Sequence, residues 1–248
     1  MRKFGLIGFP LGHSFSEKYF KEKFARESIV DCSYRNFEIA AVSELEDLSK
    51  DPDLEGLNVT IPYKEEVIPF LHQQDPVVEQ TGACNCIQIR KGQLTGFNTD
   101  VIGFEESVSS KLQVEDKSAL ILGTGGSSKA VAWVLKKLGI AYLYVSRTKT
   151  STPNQLGYED LDKKILQSHR LIINCTPLGM FPNTDQYPPI EYRYLGPEHY
   201  LFDLIYNPEK TVFLTRGEAA GARTKNGSDM LAIQAEASWK IWNRPSGR

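Results

Sequence analysis

The sequence is poor in several features that would each point to a particular class of protein. Its 248 residues include 4 cysteines, 4 histidines and 3 tryptophans, and the formal net charge is −2 at pH 7. A charge this close to zero gives no reason to expect nucleic acid or an anionic membrane as a partner. No apolar run approaches the roughly 20 residues that a membrane-spanning helix needs. We therefore expect a soluble globular protein.

Cysteine is scarce and is not spaced for a metal. Cys84 and Cys86 are one residue apart, whereas the cysteines of structural zinc sites are usually separated by two or more. We expect both on one face of a strand as reduced, packed thiols, with no metal site, and a reducing compartment such as the cytoplasm. The short apolar stretch near the N-terminus breaks at Pro10 and Gly12, which favours a first strand over a signal peptide.

Short apolar runs alternate with amphipathic stretches along the chain, a pattern typical of α/β proteins with largely parallel sheets. The first hundred residues predict strands and helices in turn, including a helix over 63–71 and an antiparallel hairpin around Arg90–Gly92. We place a domain boundary near Asp100–Gly103. Beyond it the alternation is more regular, and buried strands are predicted over 118–123, 141–146, 170–176 and 200–206.

The sharpest signal is the turn Gly123-Thr124-Gly125-Gly126, which lies between an apolar strand and a helix. Bare glycines let a backbone approach a pyrophosphate, and the N-terminus of the helix offers N–H groups that have no acceptor. This strand–turn–helix context is the condition that the dinucleotide-binding fingerprint requires. The turn predicts a dinucleotide site, and a tight structural turn is the alternative.

The next predicted strand ends in Ser146-Arg147-Thr148-Lys149. NAD-binding domains usually carry Asp or Glu about 20 residues after the glycines, where it holds the ribose hydroxyls. No acid stands here. A guanidinium flanked by hydroxyls suits a 2′-phosphate, which Arg binds in a bidentate, charge-assisted way. The segment favours NADP over NAD, and a solvated basic turn is the alternative.

Polar residues also follow predicted strands in the first hundred residues. Strand ends at one sheet edge are where α/β folds build ligand sites. Singly, each residue has a plain structural explanation, such as a helix cap for Ser14 or a turn for 98–100. The candidates are Ser14, Ser16, Thr60, Lys64, Asn85 and Asp100.

The order and spacing of the motifs resemble the shikimate dehydrogenase family over essentially the whole chain. The resemblance implies an N-terminal mixed α/β substrate domain over 1–101 and a Rossmann-type NADP-binding domain over 102–226. It also implies that the last helix, within about 227–248, returns to the substrate domain. The motifs are GFPLGHSFS, NVTIPYKE, GACNC, GFNTD, GTGGSSKA, SRT, NCTPLGM, DLIYNPEKTVFL and NGSDMLAIQAE.

The resemblance further implies reversible reduction of 3-dehydroshikimate to shikimate with NADPH, by a protein that is a monomer or a homodimer. Lys64 and Asp100 would form the catalytic pair. The substrate would be held by Ser14, Ser16, Thr60, Asn85, Tyr206 and Gln234. The cofactor would be held by Gly123, Thr124, Gly125, Gly126, Ser127, Ser146, Arg147 and Thr148, with Gly227 and Met230 near the nicotinamide.

The chain departs from the family pattern at a few positions, none of them in the catalytic pair. The family commonly has Ser at Gly12, Pro at Glu17, Asn at Ser146 and Ala at Cys175, so the contact of Ser146 with the adenosine phosphate is open. Two alternatives to the implied function remain. One is a quinate/shikimate dehydrogenase, and the other is a non-catalytic NADP-binding relative.

Overall fold

The computed structural model describes residues 1–12, 15–148 and 154–244, and the chain forms two compact units. The first unit combines Met1–Ile102 with Leu231–Arg248, and the second is the continuous stretch Gly103–Met230. Every helix in the described part of the chain is too short or too polar to span a bilayer.

The first unit is built on a mixed sheet of six strands, in the order β2-β1-β3-β5-β6-β4. β1 pairs in parallel with β2 and β3, whereas β5 is antiparallel to β3 and β6. The sheet is therefore less parallel than the apolar pattern predicts. Its strands are β1 (Arg2–Gly8), β2 (Cys32–Glu38), β3 (Leu54–Val59), β4 (Gln73–Gln74), β5 (Cys86–Arg90) and β6 (Gln93–Phe97).

The second unit is built on a sheet of six strands that are all parallel, in the order β12-β11-β10-β7-β8-β9. This is the strand order of a dinucleotide-binding Rossmann sheet, with the order reversing at β7. Its strands are β7 (Ser118–Leu122), β8 (Ala141–Ser146), β9 (Gln155–Gly157), β10 (Leu171–Asn174), β11 (Tyr200–Asp203) and β12 (Arg223–Lys225).

The helices alternate with these strands, as the α/β pattern predicts. α4 and α8 each run from one unit into the other, because the units divide after Ile102 and after Met230. The helices are α1 (Phe15–Arg26), α2 (Glu44–Leu48), α3 (Pro76–Thr81), α4 (Asp100–Ser109), α5 (Gly126–Lys137), α6 (Lys163–Ser168), α7 (Val212–Ala219) and α8 (Ser228–Trp242).

One face of the first sheet packs against α1 and α8 through aromatic side chains. The rings of Phe4 and Trp242 stack with centroids 4.9 Å apart, and both are fully buried. The indole Nε1 of Trp242 donates to the carbonyl of Ile87 at 3.0 Å. A side chain at Gly56 would come within 2.3 Å of this indole, so β3 passes directly beneath it. The last helix therefore completes the core of the first unit.

The antiparallel hairpin predicted around Arg90–Gly92 is confirmed. β5 and β6 pair from Cys86–Phe97 to Arg90–Gln93. The two turn residues, Lys91 and Gly92, have φ of 51° and 74°. Positive φ at both central positions is the geometry whose twist matches that of the flanking strands.

The helix predicted over 63–71 is wrong. The segment forms consecutive turns, with a single 3₁₀-helix at Ile68–Phe70. Pro69 has no backbone N–H, and its ring disfavours the helical conformation of the residue before it. An apolar pattern with helical spacing is therefore present in a stretch that cannot form a regular α-helix.

The prediction that Cys84 and Cys86 share one face is also wrong, although both are buried, free thiols. Cys84 packs with Ile87 and Ile89 in one core cluster, whereas Cys86 packs with Trp242 in the other. β5 begins only at Cys86. The alternation of faces along a strand therefore does not extend back to Cys84.

Candidate active site

Three chain segments that carry predicted site residues meet at one end of the strands of the first sheet. β3 is antiparallel to β5, and β5 is antiparallel to β6. The carboxyl ends of β3 and β6 therefore lie beside the amino end of β5. Lys64 follows β3, Asn85 directly precedes β5, and Asp100 follows β6 as the first residue of α4.

Lys64 and Asp100, which the resemblance implies as the catalytic pair, form a largely buried ion pair. The Nζ of Lys64 lies 2.6 Å from Oδ2 of Asp100, and the two side chains are 14% and 9% exposed. The backbone N–H of Cys84 donates to the carbonyl of Lys64 at 2.7 Å, which ties the turn that carries the lysine to the start of β5. Asp100 stands in the first turn of a helix, where the helix dipole stabilises a negative charge.

Asn85 connects this pair to a larger hydrogen-bond network. Its Nδ2 donates to the second carboxylate oxygen of Asp100 at 2.8 Å, and its Oδ1 accepts from the backbone N–H of Thr99 at 2.6 Å. Both oxygens of Asp100 therefore have a partner. Because Asn85 is held at both ends of its amide, the orientation of the Asp100 carboxylate is fixed.

Gln234 reaches the same network from α8. Its Oε1 accepts from the amide of Asn85 and from the hydroxyl of Thr99, each at 3.4 Å. Ser238 lies one turn later on the same face of the helix, and its hydroxyl is 3.1 Å from that of Thr99. The last helix therefore contributes polar side chains to the site as well as Trp242 to the core.

The network continues through two residues that motif reasoning did not single out. Asn58, in the buried end of β3, donates to Ser238 at 3.0 Å and accepts from the hydroxyl of Tyr34 at 2.9 Å. Burial raises the pKa of the Tyr34 phenol, and a hydrogen bond from Ser16 opposes that rise. Tyr34 is therefore joined through Asn58 and Ser238 to Thr99, beside the ion pair. Ser16 is buried in the first turn of α1.

The remaining predicted substrate residues differ in where they lie. Thr60 directly follows β3, and its backbone N–H donates to the carbonyl of Ile7 at 2.9 Å. Ser14 lies outside the described residues. Tyr206 belongs to the second unit, in the segment after β11, where it is partly buried.

The glycine turn of the second unit has the shape that the fingerprint predicts. Gly123 has φ of +103°, and a Cβ there would lie 3.1 Å from the methyl group of Thr176, so glycine is required. Gly125 is the N-cap of α5, and a Cβ built on it would meet nothing within 4 Å. Thr124 and Gly125 are exposed. The turn thus leaves open space beside N–H groups that have no acceptor within the helix, as a pyrophosphate requires.

The segment after β8 lies on the carboxyl side of the same sheet. Arg147 and Thr148 are exposed, and the backbone N–H of Thr148 donates to the hydroxyl of Ser146 at 3.3 Å. Lys149 lies outside the described residues. β8 pairs with β7, the strand that leads into the glycine turn. Arg147 and Thr148 therefore follow the strand that neighbours the one before the turn.

The start of α8 carries the last predicted cofactor residues, which lie in the second unit. A Cβ on Gly227 would lie 2.3 Å from the carbonyl of Leu204, so glycine allows a close approach of two backbones. Met230 is buried in the first turn of α8.

Groups of three or more His, Cys, Asp or Glu side chains that could hold a metal are absent from the described residues.

Thr99, Asn58, Ser238 and Tyr34 were not identified from the sequence. A partial signal existed for two of them. Thr99 stands between Asn98 and Asp100 in a motif that already carries the resemblance, and Ser238 is four residues after Gln234 on a predicted helix. Residues four apart share a helix face. Tyr34 and Asn58 lie on strands and are buried in the structure, and a single polar side chain there has no periodic signature in the sequence.

Comparison with known proteins gives consistent matches. Residues 6–87 match the family described as the shikimate dehydrogenase substrate binding domain. The shikimate dehydrogenase (NADP(+)) of Desulforamulus reducens is 33% identical over 267 residues, which cover 96% of this chain and 88% of that protein.

Solved structures agree over both units. Shikimate dehydrogenase 1 from Peptoclostridium difficile is 37% identical and has a TM-score of 0.87, covering 100% of this chain and 94% of that one. Shikimate 5-dehydrogenase from Thermus thermophilus, in complex with NADP(H) and shikimate, is 27% identical with a TM-score of 0.86, covering 98% and 94%. With a buried Lys64–Asp100 pair, a Rossmann sheet and relatives matched over nearly their full length, the chain belongs to the shikimate dehydrogenase family.

Proposed function

We propose that this chain catalyses the reversible, NADPH-dependent reduction of 3-dehydroshikimate to shikimate, a step toward chorismate and the aromatic amino acids. The observation that carries the proposal is the buried ion pair of Lys64 and Asp100, with Nζ and Oδ2 2.6 Å apart. The pair is joined to Asn85 and Gln234 by hydrogen bonds. A proton donor therefore lies among groups that can bind the hydroxyls of a small ring.

The two units have separate roles in this proposal. The first unit binds the substrate, with the hydroxyls of Ser14 and Ser16 on its carboxylate. Thr60, Asn85 and Gln234 hydrogen-bond the carboxylate side or the ring hydroxyls of the substrate, because a hydroxyl or an amide can act both as donor and as acceptor.

The second unit binds NADPH, which supplies the hydride when it is bound. The turn from Gly123 to Ser127 holds the pyrophosphate, and the open space over Gly125 leaves room for it. Arg147 and Thr148 hold the 2′-phosphate, where Arg forms charge-assisted bonds. Gly227 and Met230 lie beside the nicotinamide.

Lys64 and Asp100 carry the proton chemistry. As the substrate carbon is reduced, negative charge develops on its oxygen, and a donor fixed in advance in a buried site stabilises that charge more than water does. The ammonium of Lys64 meets the charge and gives the oxygen a proton. Asp100 holds Lys64 in place and, in the oxidation, accepts a hydrogen bond from the substrate hydroxyl.

Oxidation of shikimate by the purified protein tests this function, with NADP and NAD compared at the absorbance band of the reduced nicotinamide. We expect turnover with a strong preference for NADP. In Arg147→Ala, the preference for NADP over NAD should fall by about 10- to 100-fold, because a hydrogen bond between charged groups contributes about 1.5–3 kcal/mol. Turnover that favours NAD in the unaltered protein would contradict the cofactor assignment.

The quinate/shikimate alternative is tested with the same assay. Quinate carries one more ring hydroxyl than shikimate, and a site rich in donors and acceptors such as Asn85 and Gln234 could accept it. We propose shikimate as the preferred substrate, so kcat/KM for quinate should be lower. A kcat/KM for quinate equal to or above that for shikimate would favour the alternative.

The non-catalytic alternative is disfavoured by the ion pair itself. A relative that only binds NADP has no need to retain Lys64 and Asp100 in a buried contact. Binding of NADPH without oxidation of shikimate or quinate would support that alternative.

We further propose that the protein works in the cytoplasm, as a monomer or a homodimer. The free cysteines, two of them fully buried, suit a reducing compartment. Light scattering after size-exclusion chromatography distinguishes one copy from two.

A further inference from the structure

Asp203, the last residue of β11, is a fully buried carboxylate in the second unit. Its Oδ1 accepts from the Nδ2 of Asn174 and from the backbone N–H of Ile205, each at 3.0 Å. Its Oδ2 accepts from the hydroxyl of Thr211 at 2.6 Å. All three partners are neutral donors: Asn174 is the last residue of β10, and Ile205 and Thr211 lie in the segment that follows β11.

Asn174 extends this cluster to the segment that follows β10. Its Oδ1 accepts from the backbone N–H of Thr176 at 3.0 Å and from the hydroxyl of Thr176 at 2.6 Å. Its Nδ2 also donates to the carbonyl of Leu178 at 3.3 Å. Asn174 is fully buried like Asp203, and its amide binds both Thr176 and Leu178 in the segment 175–178.

Backbone hydrogen bonds join the segments that the cluster holds. The N–H of Phe181 donates to the carbonyl of Asn207 at 3.2 Å, and the N–H of Gly227 donates to the carbonyl of Ile205 at 3.2 Å. The segments 175–181 and 204–211 and the start of α8 are thus tied to one another. Asp203 is joined to the second of these segments through Ile205 and Thr211, and to the first through Asn174.

A second buried carboxylate of the same unit shows a different arrangement. Asp116 precedes β7, at the amino end of the sheet, and lies 3.0 Å from the guanidinium of Arg223. A buried charge with an opposite charge beside it has an evident electrostatic partner. Burial instead raises the pKa of Asp203 to about 6, against the three hydrogen bonds that lower it. Burial of the Asp203 carboxylate therefore costs free energy, and an ion pair would have reduced that cost.

We propose that Asp203 is a positioning residue that fixes the segments 175–181 and 204–211 and the start of α8 in the arrangement needed for hydride transfer. This inference rests on the proposed function, because Tyr206, Gly227 and Met230 lie on these segments. Asp203 acts on the reacting groups only through them, since its own side chain is fully buried.

The test compares Asp203→Ala with Asp203→Asn. Alanine removes all three hydrogen bonds, so kcat for shikimate oxidation should fall by about 10- to 100-fold, the scale of a misplacement of about 1 Å. The KM for shikimate should change by only a few-fold, because most of its contacts lie in the first unit. Asparagine can still accept from Asn174 and Ile205 and donate to Thr211, so it should keep kcat within a few-fold of the unaltered protein.

Asp116→Ala is the matched control, because it removes an equally buried carboxylate at the other end of the same sheet. It should lower the melting temperature and leave the kcat of the folded protein unchanged. Hydrogen–deuterium exchange gives a readout that does not depend on the substrate. Amides of 175–181 and 204–211 should exchange faster in Asp203→Ala, and not in Asp116→Ala.

The outcomes separate this proposal from the proposed function. If the unaltered protein oxidises no shikimate, the proposed function fails, and the exchange data still test whether Asp203 holds the segments. A folded Asp203→Ala with unchanged kcat and unchanged exchange would overturn the positioning role, as would an equal loss of kcat in Asp116→Ala. If Asp203→Ala does not fold, Thr211→Val removes one of the three bonds and should give a smaller change of the same kind; unchanged kcat and exchange there would overturn it too.

Discussion

The two units build their sites from different materials. In the first unit, the site consists of side chains that are hydrogen-bonded to one another, with Lys64, Asp100 and Asn85 at its centre. In the second unit, the glycine turn offers backbone N–H groups and open space, and Gly125 presents no side chain at all. We therefore expect the first site to be impaired most by removal of a side chain, and the second site by addition of one.

The largest expected effect comes from removing the central cation of the first site. Lys64→Ala should lower kcat for shikimate oxidation by roughly 10²–10⁴-fold, the scale for losing a group that acts as acid or base. The KM for shikimate should stay within a few-fold. Steady-state kinetics measure both, with the exposed Lys50 replaced by Ala as the control that should change neither. Near-normal turnover in Lys64→Ala would remove the lysine from the proton chemistry.

Adding one methyl group to the second site should have a smaller effect. Gly125 has φ of −79° and ψ of −179°, which alanine can adopt, and a Cβ there meets nothing within 4 Å. Gly125→Ala should keep its melting temperature, yet raise the KM for NADP by about tenfold, because the methyl group occupies space close to the expected pyrophosphate.

Gly123→Ala is the counterpart of that variant. At φ of +103° a side chain is strained, at about 1–3 kcal/mol, so this variant should lose stability as well as affinity for NADP. Thermal melting and the KM for NADP, measured on both variants, distinguish the two cases. If Gly125→Ala binds NADP as well as the unaltered protein does, the turn is structural only.

The smallest expected effect concerns the pH dependence of stability. The pKa of Asp203 is raised from 3.8 to about 6 in the folded chain. A carboxyl whose pKa is higher in the folded state favours folding most below its unfolded pKa, and this stabilisation is lost as the pH rises from about 4 through about 6. At about 1.4 kcal/mol per pKa unit, the full loss is about 3 kcal/mol.

Asp203→Asn removes this titration. Its free energy of unfolding, relative to that of the unaltered protein, should therefore rise by about 1–1.5 kcal/mol between about pH 5 and about pH 7.5. Urea unfolding at the two pH values measures the change. A constant difference between the two proteins would show that Asp203 does not titrate in this range.

The sequence predicted the second unit more completely than the first, for a physical reason. In a parallel sheet covered on both faces, the inner strands are continuous apolar runs, and every such run predicted from Ser118 onward corresponds to a strand. The two edge strands, β9 and β12, carry no apolar run and were not predicted. The first unit has mixed pairing and a segment at 63–71 whose apolar spacing is helical although Pro69 prevents a helix. Short elements such as α3 and α6 contain too few residues for a period to be visible.

Some residues of the site were predicted from the sequence and others were not. Lys64, Asp100, Asn85 and Gln234 were predicted because motifs carry them, and the structure brings them together. Other members of the network were not predicted, because a polar residue on a buried strand or helix gives no sign of its partner until the fold places the two side chains side by side. These are Tyr34, Asn58 and Ser238. The cluster around Asp203 has the same origin, since two of its members lie 29 and 8 positions from it along the chain.

The division of the first unit into two stretches has a consequence for synthesis on the ribosome. The second unit is continuous from Gly103 to Met230, so it can fold as soon as that stretch has emerged. The first unit is completed later, because Phe4 and Gly56 pack against Trp242, which is translated after the whole of the second unit. The β1–β3 region is therefore exposed for the whole time that the second unit is being translated, and a nascent chain would need protection there first.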